Sequence, residues 1–100
     1  MAMTEFDFII TDDYDEIEFT DEQKELLPKQ SGLNYVRLMI NWYNPKYQVL
    51  DLTGTSNEEV IRIILHFYKH KTRRRLVGDH IFFEGFHRIS DDCHELYLGS

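Results

Sequence analysis

Five histidines, one cysteine and a dense run of cations are the residues whose types and spacing suit chemistry. His66 and His70 stand at i and i+4, which on a helix puts both imidazoles on one face at the spacing of a zinc pair. A third ligand has to come from Cys93 or His94, far along the chain. The glutamate of an H-E-x-x-H site is missing between the two histidines, so the metal signal is weak and solvated histidine on a polar helix face is the ordinary reading. Cys93 and His94 are adjacent, and adjacent strand residues point to opposite faces, which argues against a thiolate–imidazole pair. No nucleophile elbow, Gly-rich phosphate loop or calcium-loop spacing occurs. The expectation is a protein with no catalytic residues, no cofactor and no metal.

The run HFYKHKTRRRLVG, His66 to Gly78, gathers Lys69, Lys71, Arg73, Arg74 and Arg75, five of the eleven Lys and Arg in a chain of formal charge −7. One reading is contact with an anion or a nucleic-acid backbone. The other is structural: cations near a helix C-terminus are stabilised by its dipole, and they offset acid elsewhere in the fold. On a continuous helix these five side chains radiate around the axis, and no loop of interleaved aromatics accompanies them. Nucleic acid is therefore the lesser reading, and a small His-dependent or zinc-dependent enzyme is a further alternative.

The acids are more unusual. Residues 1–30 hold ten of them against Lys24 and Lys29, a balance of −8, while residues 31–100 come to +1. Asp12, Asp13, Tyr14, Asp15, Glu16, Glu18, Asp21 and Glu22 form the candidate partner-binding set. Carboxylates set this closely speed encounter with a basic surface, and the aromatics among them add burial. The pattern suits a small acidic inhibitor, by analogy an immunity-type antagonist or nucleic-acid mimic. Such a protein occupies a basic site on a partner such as a nuclease or another nucleic-acid-handling protein. A solvated acidic loop is the plain alternative.

These residues need positioning elements. Phe6, Phe8 and Ile10 alternate and predict a first strand. Thr20 with Gln23 has capping-box spacing, which predicts a short helix inside an acidic segment spanning 11–30. A hairpin is expected over 35–53, with Val36, Leu38, Ile40 and Trp42 on one face, Ile40 opposite Leu50 and Leu38 opposite Leu52. Ser56 with Glu59 opens the main helix over 56–72, whose apolar arc holds Val60, Ile61, Ile63, Ile64, Leu65, Phe67 and Tyr68. A second hairpin over 80–99 pairs Phe86 with Tyr97 and Arg88 with Glu95, sending Ile81, Phe83, Ile89, Leu96 and Leu98 toward the helix.

The fold expected is one α+β domain, 1–100. It has a mainly antiparallel sheet of about five strands, built from two hairpins and an N-terminal strand. One long helix packs on one face, and one short N-terminal helix precedes it. Tyr43, Tyr47, Phe82, Phe86 and Tyr97 are expected on a contact face that one helix leaves open, which makes a homodimer plausible. The N-terminus MAMTEFDF lacks a basic stretch followed by an apolar one, no run is long enough to span a bilayer, and a lone cysteine fits a reducing compartment. A cytoplasmic protein with no membrane partner is expected.

Overall fold

Alternation makes the first strand, and it is short. In the computed structural model, which describes residues 2–100, Phe6, Phe8 and Ile10 are all buried, but only β1 (Phe8–Ile9) pairs in a ladder. A single 3-10 turn over Tyr14–Glu16 follows, and then α1 (Asp21–Leu26), opened by a complete capping box between Thr20 and Gln23. Next come β2 (Tyr35–Asn41) and β3 (Lys46–Asp51), α2 (Asn57–Lys69), α3 (Lys71–Leu76), β4 (Phe82–Ser90) and β5 (Cys93–Gly99). The architecture is α+β, with one five-stranded sheet in the order β1-β4-β5-β2-β3.

The sheet is mixed, not purely antiparallel: three of its four strand pairings are antiparallel, as expected, and one is parallel. Strand β5 lies beside β2 and runs parallel to it, with Tyr35 opposite Cys93 and Arg37 opposite Glu95. The hairpins are therefore joined through their inner strands, and this parallel seam is spanned by β3, both later helices and β4. Among the described residues there are three α-helices, of which α2 alone exceeds six residues.

Both hairpin registers differ from the alternation-based expectation. In the first, the Asn41 side-chain oxygen accepts from the backbone N–H groups of Tyr43 (3.0 Å) and Asn44 (3.2 Å). This local turn ends the strand early. Leu38 then faces Gln48 and Val36 faces Leu50. The slip is an even number of residues, so Val36 and Leu38 stay inward. Trp42 leaves the strand: its backbone N–H donates to the Leu76 carbonyl (2.8 Å), and its indole stacks on His80 at 3.7 Å.

In the second hairpin Phe86 faces Leu96, not Tyr97, and Arg88 faces His94, not Glu95. The ladder breaks between Phe83 and Phe86 and again between Arg88 and Ser90. Gly85, at φ 102°, makes the first break, in backbone space where a side chain is strained. A one-residue slip exchanges faces. Phe86, expected on the open face, is thus fully enclosed at 0 % exposure, and Ile89, expected beneath the helix, is 45 % exposed.

The main helix follows its cap and stops before its expected end. Ser56 and Glu59 cap α2 reciprocally, and Val60, Ile61, Ile64, Leu65, Phe67 and Tyr68 enter one core with Val36, Leu38, Phe83, Phe86, Leu96 and Leu98. At His70 the backbone turns extended (ψ 120°), and α3 starts in a new direction. Continuing straight would have driven Lys71 and Arg75 into the apolar arc, where unpaired charge is costly.

Asn57, the one buried polar or charged residue among the described residues, ties α2 to the end of α1. Its side-chain amide donates to the Leu26 carbonyl at 2.8 Å, and its backbone N–H donates to the Lys29 carbonyl at 2.9 Å. Asn57→Ala leaves the Leu26 carbonyl unpartnered, and a loss of about 1–2 kcal/mol is expected in chemical denaturation. Asn57→Asp is expected to cost at least as much, because a carboxylate there faces a carbonyl oxygen.

Candidate functional site

Two surfaces of opposite sign meet at Asp12. The first is the acidic segment. Tyr14, Ile17 and Phe19 hold it down by packing on the core, with Phe19 against Phe6 (6.1 Å) and Tyr14 (5.6 Å). Tyr14 also donates to Glu58 Oε1 at 3.3 Å and lies under the Arg62 guanidinium at 3.8 Å. Burial first, then the charge and hydrogen bond of Glu58, push its hydroxyl up to about 12. Tyr14 is therefore an internal anchor, not a free aromatic contact. Asp13 also has an internal task, since its carboxylate accepts from the Asp15 N–H and caps the 3-10 turn.

The remaining carboxylates point outward. Asp12, Asp15, Glu16, Glu18, Asp21 and Glu22 are exposed, and among the described residues none makes an ion pair. Between this segment and β1 lies a notch of ≈ 220 Å³ lined by Asp7, Phe8, Ile9, Thr11, Glu16, Ile17 and Glu18. Three carboxylates thus stand around an apolar floor. The sequence signal for Asp7 and Ile9 was the strand alternation, which sends them away from Phe6, Phe8 and Ile10; the notch itself depends on the loop's return across β1, which no local pattern encodes.

The second surface is the basic cluster, which divides in two. Arg73 turns back on the end of α2, donating to the Phe67 carbonyl at 3.3 Å with its guanidinium 4.2 Å over the Phe67 ring. That is the structural role of a cation at a helix C-terminus. Lys69, Lys71, Arg74 and Arg75 do something else. The break at His70 draws them around one cleft of ≈ 500 Å³, together with Tyr68 and Asp12. None of the four is in an ion pair among the described residues. A smaller cleft beside it, ≈ 240 Å³, is lined by Asp12, Asp13, Tyr14, Arg62, Leu65, His66 and Lys69.

The histidines do not converge. His66 and His70 are both exposed, and among the described residues no group of three or more His, Cys, Asp or Glu is placed to hold a metal ion. Cys93 donates weakly to the His94 carbonyl at 3.8 Å, a contact with backbone and not with the imidazole. Burial first, then the Arg88 charge, hold His94 below its ordinary value, toward the neutral form.

On the face of the sheet away from α2, Arg37 and Glu95 form an ion pair at 3.0 Å across the parallel seam. Tyr47 lies under Arg37 at 4.5 Å, and Tyr97 meets His87 edge-on at 4.6 Å. Phe82 and Tyr97 are exposed there, whereas Tyr43 sits at the β2–β3 turn and Phe86 belongs to the core. No helix among the described residues is long and apolar enough to cross a membrane. Comparison with protein-family models, curated proteins and solved structures finds no match for the chain.

Proposed function

We propose that this protein is a non-catalytic binding protein that places its acidic face on a basic site of another protein and so blocks it. A nucleic-acid-handling protein, a nuclease above all, is the partner class whose Lys/Arg surface such a face fits. The observation that carries the reading is the notch between β1 and the acidic loop, with Asp7, Glu16 and Glu18 over Phe8, Ile9 and Ile17. A Lys or Arg side chain has the matching anatomy, an aliphatic stem for the apolar floor and a cationic head for the carboxylates. That the outward carboxylates make no ion pair among the described residues supports it further, because they are left for a partner's cations.

The immobilised protein is expected to retain basic nucleic-acid-handling proteins from a lysate of its native organism and to release them as salt rises. The double variant Glu16→Lys, Glu18→Lys is expected to weaken that retention by about tenfold or more, as buried-pair charge reversals do. Retention of nucleic acid in place of protein, or equal retention by the variant, would sink the reading.

A further inference from the structure

We propose that the cleft at the α2–α3 junction is a binding site for a compact anion carrying two or more linked phosphate groups. It is separate from the acidic notch and does not depend on it. Lys69, Lys71, Arg74 and Arg75 line its walls, Tyr68 its floor and Asp12 its rim. Its volume, ≈ 500 Å³, is within the range of small-molecule sites.

Three features point to a ligand and away from incidental surface charge. The first is the chain break. On a straight helix Lys71, Arg74 and Arg75, at i, i+3 and i+4, share one face, while Lys69 lies on the opposite side. The extended backbone at His70 brings Lys69 round to the other three. The second is that the four have no carboxylate partner among the described residues, although the chain holds eighteen acids. The third is a fixed frame. The Tyr68 hydroxyl donates to the Met39 carbonyl at 2.8 Å, and Arg73 clamps the helix end through the Phe67 carbonyl. The floor and the turn are thus set before any ligand arrives, which lowers the ordering cost of binding.

The surrounding field selects a compact anion over a strand of nucleic acid. Four cations against Asp12 leave the cleft at +3, so with the whole chain at −7 the remainder carries −10. A polymer leaving the cleft runs over that negative surface, and the acidic segment begins at its rim. A short linked phosphate keeps all its charge inside. Asp12 also sets the site apart from a plain basic patch, since its carboxylate opposes any bound phosphate.

Inorganic triphosphate, titrated into the full chain at low salt by calorimetry, is expected to bind saturably at one site. Orthophosphate is expected to bind far more weakly. Arg74→Gln with Arg75→Gln should weaken triphosphate by about tenfold or more, the scale for losing charge-assisted hydrogen bonds. Arg88→Gln, which removes a cation on the distant C-terminal hairpin, should leave it unchanged within twofold. Asp12→Asn should tighten triphosphate severalfold, a gain that misfolding cannot produce. Absence of saturable binding would overturn the proposal. So would equal losses from the Arg88 variant, a loss on Asp12→Asn, or a single-stranded oligonucleotide that binds more tightly than triphosphate through Arg74 and Arg75.

Discussion

Phe86→Ala is expected to destabilise the protein by about 3–5 kcal/mol, the cost of emptying a fully enclosed aromatic site. For a domain of this size that is a fifth or more of the total, about 5–15 kcal/mol. The ring lies at 0 % exposure and meets Phe83 edge-on at 5.7 Å, inside the cluster that α2 covers. Ile89→Ala, only three positions on, is expected to stay within about 0.5 kcal/mol, since that side chain is half in solvent. The pair of variants reads the bulge at Gly85 directly. An uninterrupted ladder reverses their order, so urea denaturation of the two variants checks the face exchange.

The second large effect is alkaline. Burial holds the Tyr68 hydroxyl far above its ordinary value of 10.0, and Tyr14 is pushed up to about 12. Both folded values lie above the unfolded one, so the folded state retains protons that the unfolded state releases. The stabilisation is complete below about pH 10 and is lost as pH climbs from there toward the folded values. Between those limits a fully buried tyrosine steepens the fall by about 1.4 kcal/mol per pH unit. Tyr14 contributes less, being partly solvated. Denaturation midpoints measured from pH 8 to 11.5 are expected to drop steeply above 10 in the wild type. Tyr68→Phe should flatten that drop while costing about 1 kcal/mol at neutral pH, through the lost bond to the Met39 carbonyl. A Tyr68→Phe profile parallel to the wild type would refute the assignment.

What the chain's sequence made legible was local. The capping boxes at Thr20/Gln23 and Ser56/Glu59 involve residues three apart, so spacing alone located both helix starts. The buried alternation of Phe6, Phe8 and Ile10 is local in the same way. What failed needed information from elsewhere in the fold. Nothing between Gly85 and Ser90 marks two bulges except one glycine, and their combined effect is decided by which ring fits beneath α2. The parallel neighbour of β2 lies at the far end of the chain and leaves no trace in periodicity. His70 carries no proline or glycine to signal a stop; the helix ends there because the next turn would bury cations. That last point governs the candidate cleft. On a straight wheel Lys69 stands opposite Lys71, Arg74 and Arg75, and only the bend gathers all four charges onto one concave surface.

The seam between β2 and β5 has an entropic consequence of its own. Its first rung joins Tyr35 to Cys93, positions separated by most of the chain, whereas the rung nearest each hairpin turn joins Asn41 to Lys46 and Ser90 to Cys93. Closing so long a loop costs about 2 kcal/mol more than closing a hairpin, by the logarithmic dependence on length. The ladder that bears this cost has only three rungs. The Arg37–Glu95 pair and the enclosed Val36 stand at those rungs, so the chain's most expensive closure is also where a charge clasp on one side and a dry contact on the other coincide.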